Sequence, residues 1–596
     1  MITKGGLIHT TESNLCYALD KDMLHIRIKA LKGEVKKAWC RIGDQYIWKS
    51  GGAGGGNLEA NGSSGWIYEE VEMHLAAITE YHDIFEARIS RPTKRSRYAF
   101  ILESDEETLL FGERKVITLS ERNRNENDIG NYFCVPYISC SDVFTVPDWI
   151  RNTVWYQILP DRFFNGDKSN DPQNTLPWGN EPTWYDYIGG DIKGIIEKLD
   201  YLKDLGIGGI HFCPLFKGDK SHKYETTDYF SIDPVFGTNE LFEQLVEQAH
   251  SMGIKVMLDG VFNHVGIHHP FFQDVIQNGD KSEYFDWFCI KSLPVTSGQY
   301  ETFATNSNMP KLNFNNEKVI QYFLEVGTYW AERYHIDGWR LDVANEIGHD
   351  FWRHFRHAVK SVNPNIFIMG EVWHNALPWL KGDQYDSVMN YPLTNACVHF
   401  FATGETTAKE FQWKMNELLT DYPLQAVEAG YNFLSSHDIS RFVSIAGENI
   451  DLLLLAYVFL FTLPGSPSVY YGDEIGMEGL KTNSGDSHRR GMVWDEKKWD
   501  LRVYENVKKL IHLRNQHSAF RQFEINWLES GNDDVLLYRK DDLLVVLNRG
   551  TQDYSCELNH SGYHDFITEK DIVKSIVNVP ARGFRLLCWH SNEADS

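Results

Sequence analysis

From Asn152 onward, short apolar runs alternate with polar loops and amphipathic stretches, and the cycle repeats eight times. The runs occupy residues 154–159, 209–213, 255–259, 338–342, 366–369, 387–389, 431–434 and 467–470. Between them, apolar residues three and four apart predict helices over 195–205, 241–252 and 319–334, with Gly206 and Gly253 stopping the first two. Strand and helix in strict alternation predict an α/β fold, and eight such units predict a (β/α)8 TIM barrel. A doubly wound open sheet shares the alternation, but its first strand runs into a glycine-rich phosphate loop, and here Pro160-Asp-Arg162 follows. The barrel is preferred.

The flanks read differently. Residues 1–125 carry period-two runs such as 23–29 and 98–102, separated by turn-rich segments that include Gly51-Gly-Ala-Gly-Gly-Gly56, which predicts an N-terminal β-sandwich. Its aromatics Trp39, Tyr46, Trp48, Trp66 and Tyr68 are read first as core filling and second as platforms for sugar rings. After a helix at 501–517, short strands return at 535–538 and 543–547, so 521–596 is assigned to a C-terminal β-sandwich and 126–520 to the barrel. The connection after the third strand, about 263–318, is rich in aromatics (Phe271, Phe272, Tyr284, Phe285, Trp287, Phe288) and is read as an inserted loop domain, because connections of that length carry function.

Charge narrows the partners. The 596 residues hold 83 acidic against 58 basic side chains, a net charge of -25 that repels nucleic acid and anionic membrane and suits a neutral substrate or a bound cation. Nine cysteines without paired metal-ligand spacing indicate neither a disulfide framework nor a zinc site. The first ten residues lack the apolar core of a secretory signal, and no run reaches the ~20 apolar residues of a membrane helix, so the expected location is cytoplasmic.

Three acids stand just past apolar runs: Asp342 in Gly338-Trp-Arg-Leu-Asp342, Glu371 in Ile366-Phe-Ile-Met-Gly-Glu371, and Asp438 in Asn432-Phe-Leu-Ser-Ser-His-Asp438. A single strand-terminal acid is commonly a helix cap or a turn residue. Three of them, with Arg340 and His437 as neighbours, converge at one rim of a barrel and read as an active site. Hydrolysis of a glycosidic bond with retention needs a carboxylate nucleophile and a carboxylic acid about 5–5.5 Å apart, and Asp342 and Glu371 on adjacent strands meet that need. Arg340, two residues before Asp342 on the same strand face, is expected to favour its ionised form. Desolvation beside Trp373 is expected to keep Glu371 protonated. His264 and His437 offer hydrogen bonds to sugar hydroxyls.

A second cluster, Asn165, Asp167, Asn170 and Asp171 followed by Gly189 and Asp191, supplies oxygen donors at close intervals, as a calcium loop does. It lacks the twelfth-position Glu of an EF-hand, and Asx-rich turns of this kind also occur without metal.

The segments Asp259-Gly-Val-Phe-Asn-His264, Gly338-Trp-Arg-Leu-Asp-Val-Ala-Asn-Glu346, Glu371-Val-Trp-His374 and Phe433-Leu-Ser-Ser-His-Asp438 resemble the four signatures of glycoside hydrolase family 13, the α-amylase family. Met309-Pro-Lys-Leu-Asn313 resembles the marker of its neopullulanase, cyclomaltodextrinase and maltogenic amylase group, and the N-terminal domain is similar to a carbohydrate-binding family 34 module. The resemblance implies Asp342 as nucleophile, Glu371 as acid/base and Asp438 as the carboxylate that holds sugar hydroxyls. It implies substrate binding by Tyr224, His264, Arg340, His437, Asn345, Glu346 and Trp373, and a structural Ca2+ on the second cluster. It also implies a homodimer and cleavage of α-1,4 bonds in cyclodextrins, pullulan and maltooligosaccharides, with transfer to sugar acceptors. The alternatives are an α-1,6-acting glucosidase or cyclic maltosyl-maltose hydrolase on the same scaffold, and a non-catalytic glucan-binding protein. Departures occur at Glu225, at His211-Phe-Cys-Pro-Leu215 and at Ser435-Ser436, and none removes an acid.

Overall fold

In the computed structural model, which describes residues 1–48, 66–119, 129–482, 486–558, 562–572 and 575–589, the eight runs form parallel strands. They are Trp155–Ile158, Gly209–Phe212, Lys255–Gly260, Gly338–Leu341, Phe367–Gly370, Ser387–Val388, Tyr431–Phe433 and Ser466–Tyr470. Neighbours in sequence pair side by side, the first also pairs with the eighth, and a parallel bridge between Met389 and Tyr431 joins the sixth to the seventh. The ring closes into the expected (β/α)8 barrel. Every residue of the first, second, fourth and fifth strands is buried, as parallel strands covered by helices require. Trp155 and Phe367 stack with centroids 6.2 Å apart although they sit on the first and fifth strands, so the lower interior is a packed core. Met257, Met369, Tyr431 and Phe433 complete it.

Outside the ring, the helix Glu317–Tyr334 packs on the helix His349–Val362, and a Cβ at Gly327 would lie 2.4 Å from the Phe355 ring. Trp339, fully buried, donates its indole N–H to the Gly327 carbonyl and packs against Phe216, Phe262 and Phe355. One expected helix differs. Residues 195–205 belong to two short helices, Ile192–Glu197 and Leu199–Leu205, because Lys198 leaves helical geometry (φ -108°, ψ 6°). Its ammonium lies 4.2 Å and 4.3 Å from the ring centres of Phe164 and Trp494, a cation–π contact. Gly206 ends the second helix with φ 94°, a left-handed cap suited to glycine.

The long connection after the third strand is ordered, with a helix at Pro270–Asn278 and bridges that pair His264 with Lys311 and Phe288 with Leu312. Its aromatics pack on one another, Phe271 stacking on Tyr284 at 4.1 Å and meeting Trp287 edge-on. The second unit of the chain holds the barrel, this insert and the C-terminal strands, where six strands from Asn526–Leu528 to Lys570–Ile572 form one sheet and Tyr554–Glu557 pairs with Ile576–Val579. Val535, Leu544, Val546, Val579 and Leu587 fill the core of that C-terminal part.

The first unit joins Met1–Thr145 to Leu377–Gly382 and Lys409–Val427. Its nine antiparallel strands enclose a core that includes Ile26, Ile28, Ile42, Phe85 and Phe100. Of the five aromatics singled out in the sequence, Trp66 is buried beside Tyr132, whereas Tyr46 and Tyr68 are 48% and 41% exposed. The Gly51–Gly56 segment lies outside the described residues. Buried Arg27 pairs with Glu86 at 3.0 Å and reaches the carbonyls of Asn14, Thr420 and Tyr422 at 3.5 Å. The side-chain amides of Asn14 and Gln425 add bonds to the carbonyls of Thr420 and Ala18. Residues 409–427, which the sequence places between the sixth and seventh barrel strands, are thereby tied to the N-terminal strands. Among the described residues no helix is long and apolar enough to cross a membrane.

Candidate active site

Arg340 organises the rim. It lies on the fourth strand with 0% of its surface exposed, and its Nη1 donates to Asp259 at 2.8 Å and to Asp342 at 2.9 Å. Its Nη2 makes an ion-pair contact with Glu371 Oε2 at 2.8 Å, out of line for a hydrogen bond, and lies 3.9 Å from Asp438. One guanidinium therefore gathers four carboxylates from the third, fourth, fifth and seventh strand ends. Asp342 and Glu371 both touch it, so they share one end of the barrel and one small volume. Asp342 is 6% exposed and Glu371 likewise.

The sequence alone predicts that Arg340 holds Asp342 ionised. In the folded chain burial pushes the Asp342 carboxyl well above the usual range; Arg340 opposes this, and Glu371 and Asp259 add to it. Burial likewise raises Asp259 to about 7 against the pull of Arg340. The cause is stoichiometric: one positive charge serves four acids, so it does not fully offset burial, and Asp342 and Asp259 are held towards their protonated forms. A site that must hold one carboxylate and one carboxylic acid side by side needs that property.

Tyr224 and His437 form the floor beside the acids. The Tyr224 hydroxyl donates to Asp259 at 3.0 Å and lies 2.5 Å from Nε2 of His437, which also approaches Asp438 at 3.1 Å. Gln157 on the first strand donates its amide N–H to Nδ1 of His437 at 3.1 Å. Burial, with Arg489 and Arg340 nearby, holds His437 well below its ordinary range, so the ring is neutral and its proton sits on Nε2. His264 bonds through Nε2 to the Tyr224 carbonyl at 3.0 Å and stacks on Phe303 of the insert.

Trp373 is 48% exposed, stacks on Tyr391 at 3.6 Å, and donates its indole N–H to Glu371 Oε1 at 2.9 Å. Val343, next to Asp342, has φ 46° and ψ 41°, a left-handed conformation that is costly for a β-branched residue. That conformation points its N–H at Glu371 Oε2, 3.0 Å away. Asn345 is half-buried and Glu346 exposed in the turn that follows, outside the Arg340 cluster. Lys311 of the insert reaches the Glu346 carbonyl at 3.1 Å and also bonds Asn263.

Sequence reasoning passed over several neighbours. Asp259 was visible only as part of a motif, yet it takes two bonds from Arg340 and one from Tyr224. Arg489 donates to the His437 carbonyl at 2.6 Å and reaches Asp438 at 3.4 Å, and the Lys481 ammonium meets the Asp438 carbonyl at 2.6 Å. Both lie in an irregular segment after the eighth strand, where no hydrophobic period marks them.

The oxygen-rich cluster lies apart, in the loop after the first strand. Asp191 caps the helix Ile192–Glu197 through Gly194 N and also accepts from the N–H groups of Gly166 and Asp167 and the amide of Asn170. Asn165 donates to Asp171, and Gly189, at φ 88°, lies against both. The side-chain oxygens of Asn165 and Asn170 are buried without a hydrogen-bond partner, which suits a hard cation. Among the described residues no group of three or more His, Cys, Asp or Glu converges as a metal site, so an ion here would need amide and backbone oxygens beside any carboxylate.

Residues 157–522 match the family described as alpha amylase, catalytic domain, and residues 1–139 match alpha amylase, N-terminal ig-like domain. The chain belongs to the α-amylase family. It is 42% identical over 559 residues to a cyclomaltodextrinase of Geobacillus thermopakistaniensis (strain MAS1), covering 92% of each chain. It is 41% identical to neopullulanase 2 of Thermoactinomyces vulgaris, covering 86% of this chain and 84% of that one. A solved cyclomaltodextrinase superposes with a TM-score of 0.89 at 37% identity over 98% and 99% of the two chains. The α-amylase fold with its acid cluster makes this protein a glycoside hydrolase.

Proposed function

We propose that the protein hydrolyses α-1,4-glucosidic bonds of cyclodextrins, pullulan and maltooligosaccharides with retention of configuration. The observation that carries this is the contact of one guanidinium with both Asp342 and Glu371, which puts a nucleophile and an acid within reach of one bond. An oxygen of Asp342 attacks the anomeric carbon while the bond to the glycosidic oxygen breaks and Glu371 gives that oxygen a proton. Glu371, now a carboxylate, takes a proton from water, whose oxygen displaces Asp342 and restores both groups. Asp438, Tyr224 and His437 hold the hydroxyls of the distorted sugar, and a sugar in place of water gives transfer. Names of relatives support cyclodextrins and pullulan as substrates.

The test is an incubation with β-cyclodextrin and with pullulan, following reducing ends and the anomeric configuration of the first product. New ends with α configuration are expected, and Asp342→Asn is expected to lower turnover about 10⁴-fold or more while the fold persists. Inverted product, or near-normal turnover in that variant, rejects the assignment.

Asn165, Asp167, Asn170, Asp171 and the Gly189 carbonyl would hold a Ca2+ that ties the loop after the first strand together, with Asp191 orienting the loop; the ion would be structural. Homodimer formation is supported by the exposed Ile47, Ile67, Tyr68, Leu75, Ile78 and Tyr81 of the first unit. A reducing, cytoplasmic setting is supported by nine free cysteines, six of them buried.

A further inference from the structure

Glu371 has two oxygens, and their surroundings differ. Oε2 receives the Val343 N–H at 3.0 Å and faces the Arg340 charge at 2.8 Å. Oε1 receives the Trp373 indole N–H at 2.9 Å. A carboxyl oxygen pressed by a peptide donor and a guanidinium is a poor place for a proton, because both favour negative charge there. The proton that Glu371 donates therefore belongs on the free lone pair of Oε1, and the indole fixes which way that lone pair points. Trp373 is itself fixed by its face, stacked on the buried Tyr391, while nearly half of its surface stays open. Val343 and Trp373 thus grip the carboxyl from two sides and set its rotation.

We propose that Trp373 is a positioning residue for the acid step: its indole N–H holds Glu371 Oε1 as the proton-donating oxygen and tunes how readily that proton leaves. This rests on the proposed acid role of Glu371 and goes beyond sugar contact by the exposed ring. The N–H favours the ionised carboxylate, so its removal makes the acid weaker. The other charged or titratable groups facing Glu371 are Arg340 and Asp342 on the fourth strand, Asp259 on the third, Asp438 after the seventh and Tyr391 after the sixth. All of them remain when only the indole nitrogen is changed.

The experiment compares wild type, Trp373→Phe, and a full-length protein carrying 3-benzothienylalanine at 373, which keeps the bicyclic face and lacks the N–H. Substrates are β-cyclodextrin, whose leaving group is a sugar hydroxyl, and α-maltosyl fluoride, whose leaving group needs little protonation. For both variants the alkaline limb of kcat/KM on β-cyclodextrin is expected to move up by about half a pH unit or more, the scale of one lost bond to an ionised group. The loss of turnover on β-cyclodextrin is expected to exceed that on α-maltosyl fluoride about tenfold, because the acid step matters only for the first. An unmoved limb with KM alone raised overturns the proposal and leaves Trp373 a sugar platform. Equal losses on both substrates also overturn it. Failure of the underlying reading has its own signature: wild type would not cleave β-cyclodextrin, or Glu371→Gln would cleave it as well as wild type.

Discussion

The hydroxyl of Tyr224 lies 2.5 Å from Nε2 of His437, with the two ring planes 7° from parallel. The bond is part of a directional chain: Gln157 donates to His437, His437 to Tyr224, and Tyr224 to Asp259. Each link has a fixed direction, so the neutral tautomer of His437 is set from the first strand. Tyr224→Phe removes the link, leaving Nε2 of His437 with Asp438 alone and Asp259 with Arg340 alone. We expect kcat/KM on β-cyclodextrin to fall about 10–100-fold, the scale of one or two buried bonds. Steady-state kinetics within threefold of wild type would contradict this chain.

Arg340 compensates four acids, so its loss does more than remove one bond. Arg340→Ala leaves buried carboxylates uncompensated and is expected to destabilise the fold by about 3–5 kcal/mol at neutral pH, with less loss at acid pH where the carboxyls are protonated. Urea unfolding at two pH values measures both. Equal destabilisation at the two values would mean that packing, and not charge, is what Arg340 supplies.

Glu474 is a fully buried acid whose partners are the hydroxyls of Tyr156 at 2.7 Å and Tyr201 at 2.6 Å. Burial raises its carboxyl from 4.5 to about 7. A folded value above the unfolded one means that the folded state holds the proton more tightly, so this stability is complete below the unfolded value and is lost as pH rises through about 7. Glu474→Gln is expected to leave stability at pH 5 nearly unchanged and to gain on the order of 3 kcal/mol relative to wild type at pH 8. Thermal melts across pH 5 to 8 that stay parallel for the two proteins would refute it.

Calcium at the Asn165–Asp191 loop has a stability readout independent of activity. Millimolar Ca2+ is expected to raise Tm of the EDTA-treated protein by a few degrees, as binding at about 100 times Kd adds about 2.7 kcal/mol. Asp171→Ala should abolish the increment. A calcium-dependent rise of the same size in that variant would place the ion elsewhere.

Trp339 contributes packing and one buried hydrogen bond, to the Gly327 carbonyl. Trp339→Ala empties a site between the fourth strand and the helix Glu317–Tyr334 and is expected to cost about 3–5 kcal/mol. The chevron midpoint in urea would show it, and a loss below 1 kcal/mol would mean the helix collapses into the space.

The barrel was legible because its strands are short, mostly apolar and spaced by amphipathic helices, so period and order suffice. Asp342, Glu371 and Asp438 were legible for a related reason: each ends such a run. What the chain does not print is pairing in space. Asp259 also ends a run, but nothing local distinguishes an acid that braces an arginine from one that meets substrate. Arg489 and Lys481 sit in a segment without period. The Asp342 environment depends on how many carboxylates share one guanidinium, a number set only when four strands meet. Lys198 breaks its helix through rings 34 residues upstream and 296 downstream, beyond any window of local propensity.

The grip of Arg27 and Asn14 on Thr420 and Tyr422 has a consequence for biosynthesis. The strand that holds Arg27 leaves the ribosome well before the helix, encoded nearly 400 residues later, whose end covers it. Synthesis must run on through nearly 400 further residues before the strand that carries Arg27 can finish its own interior.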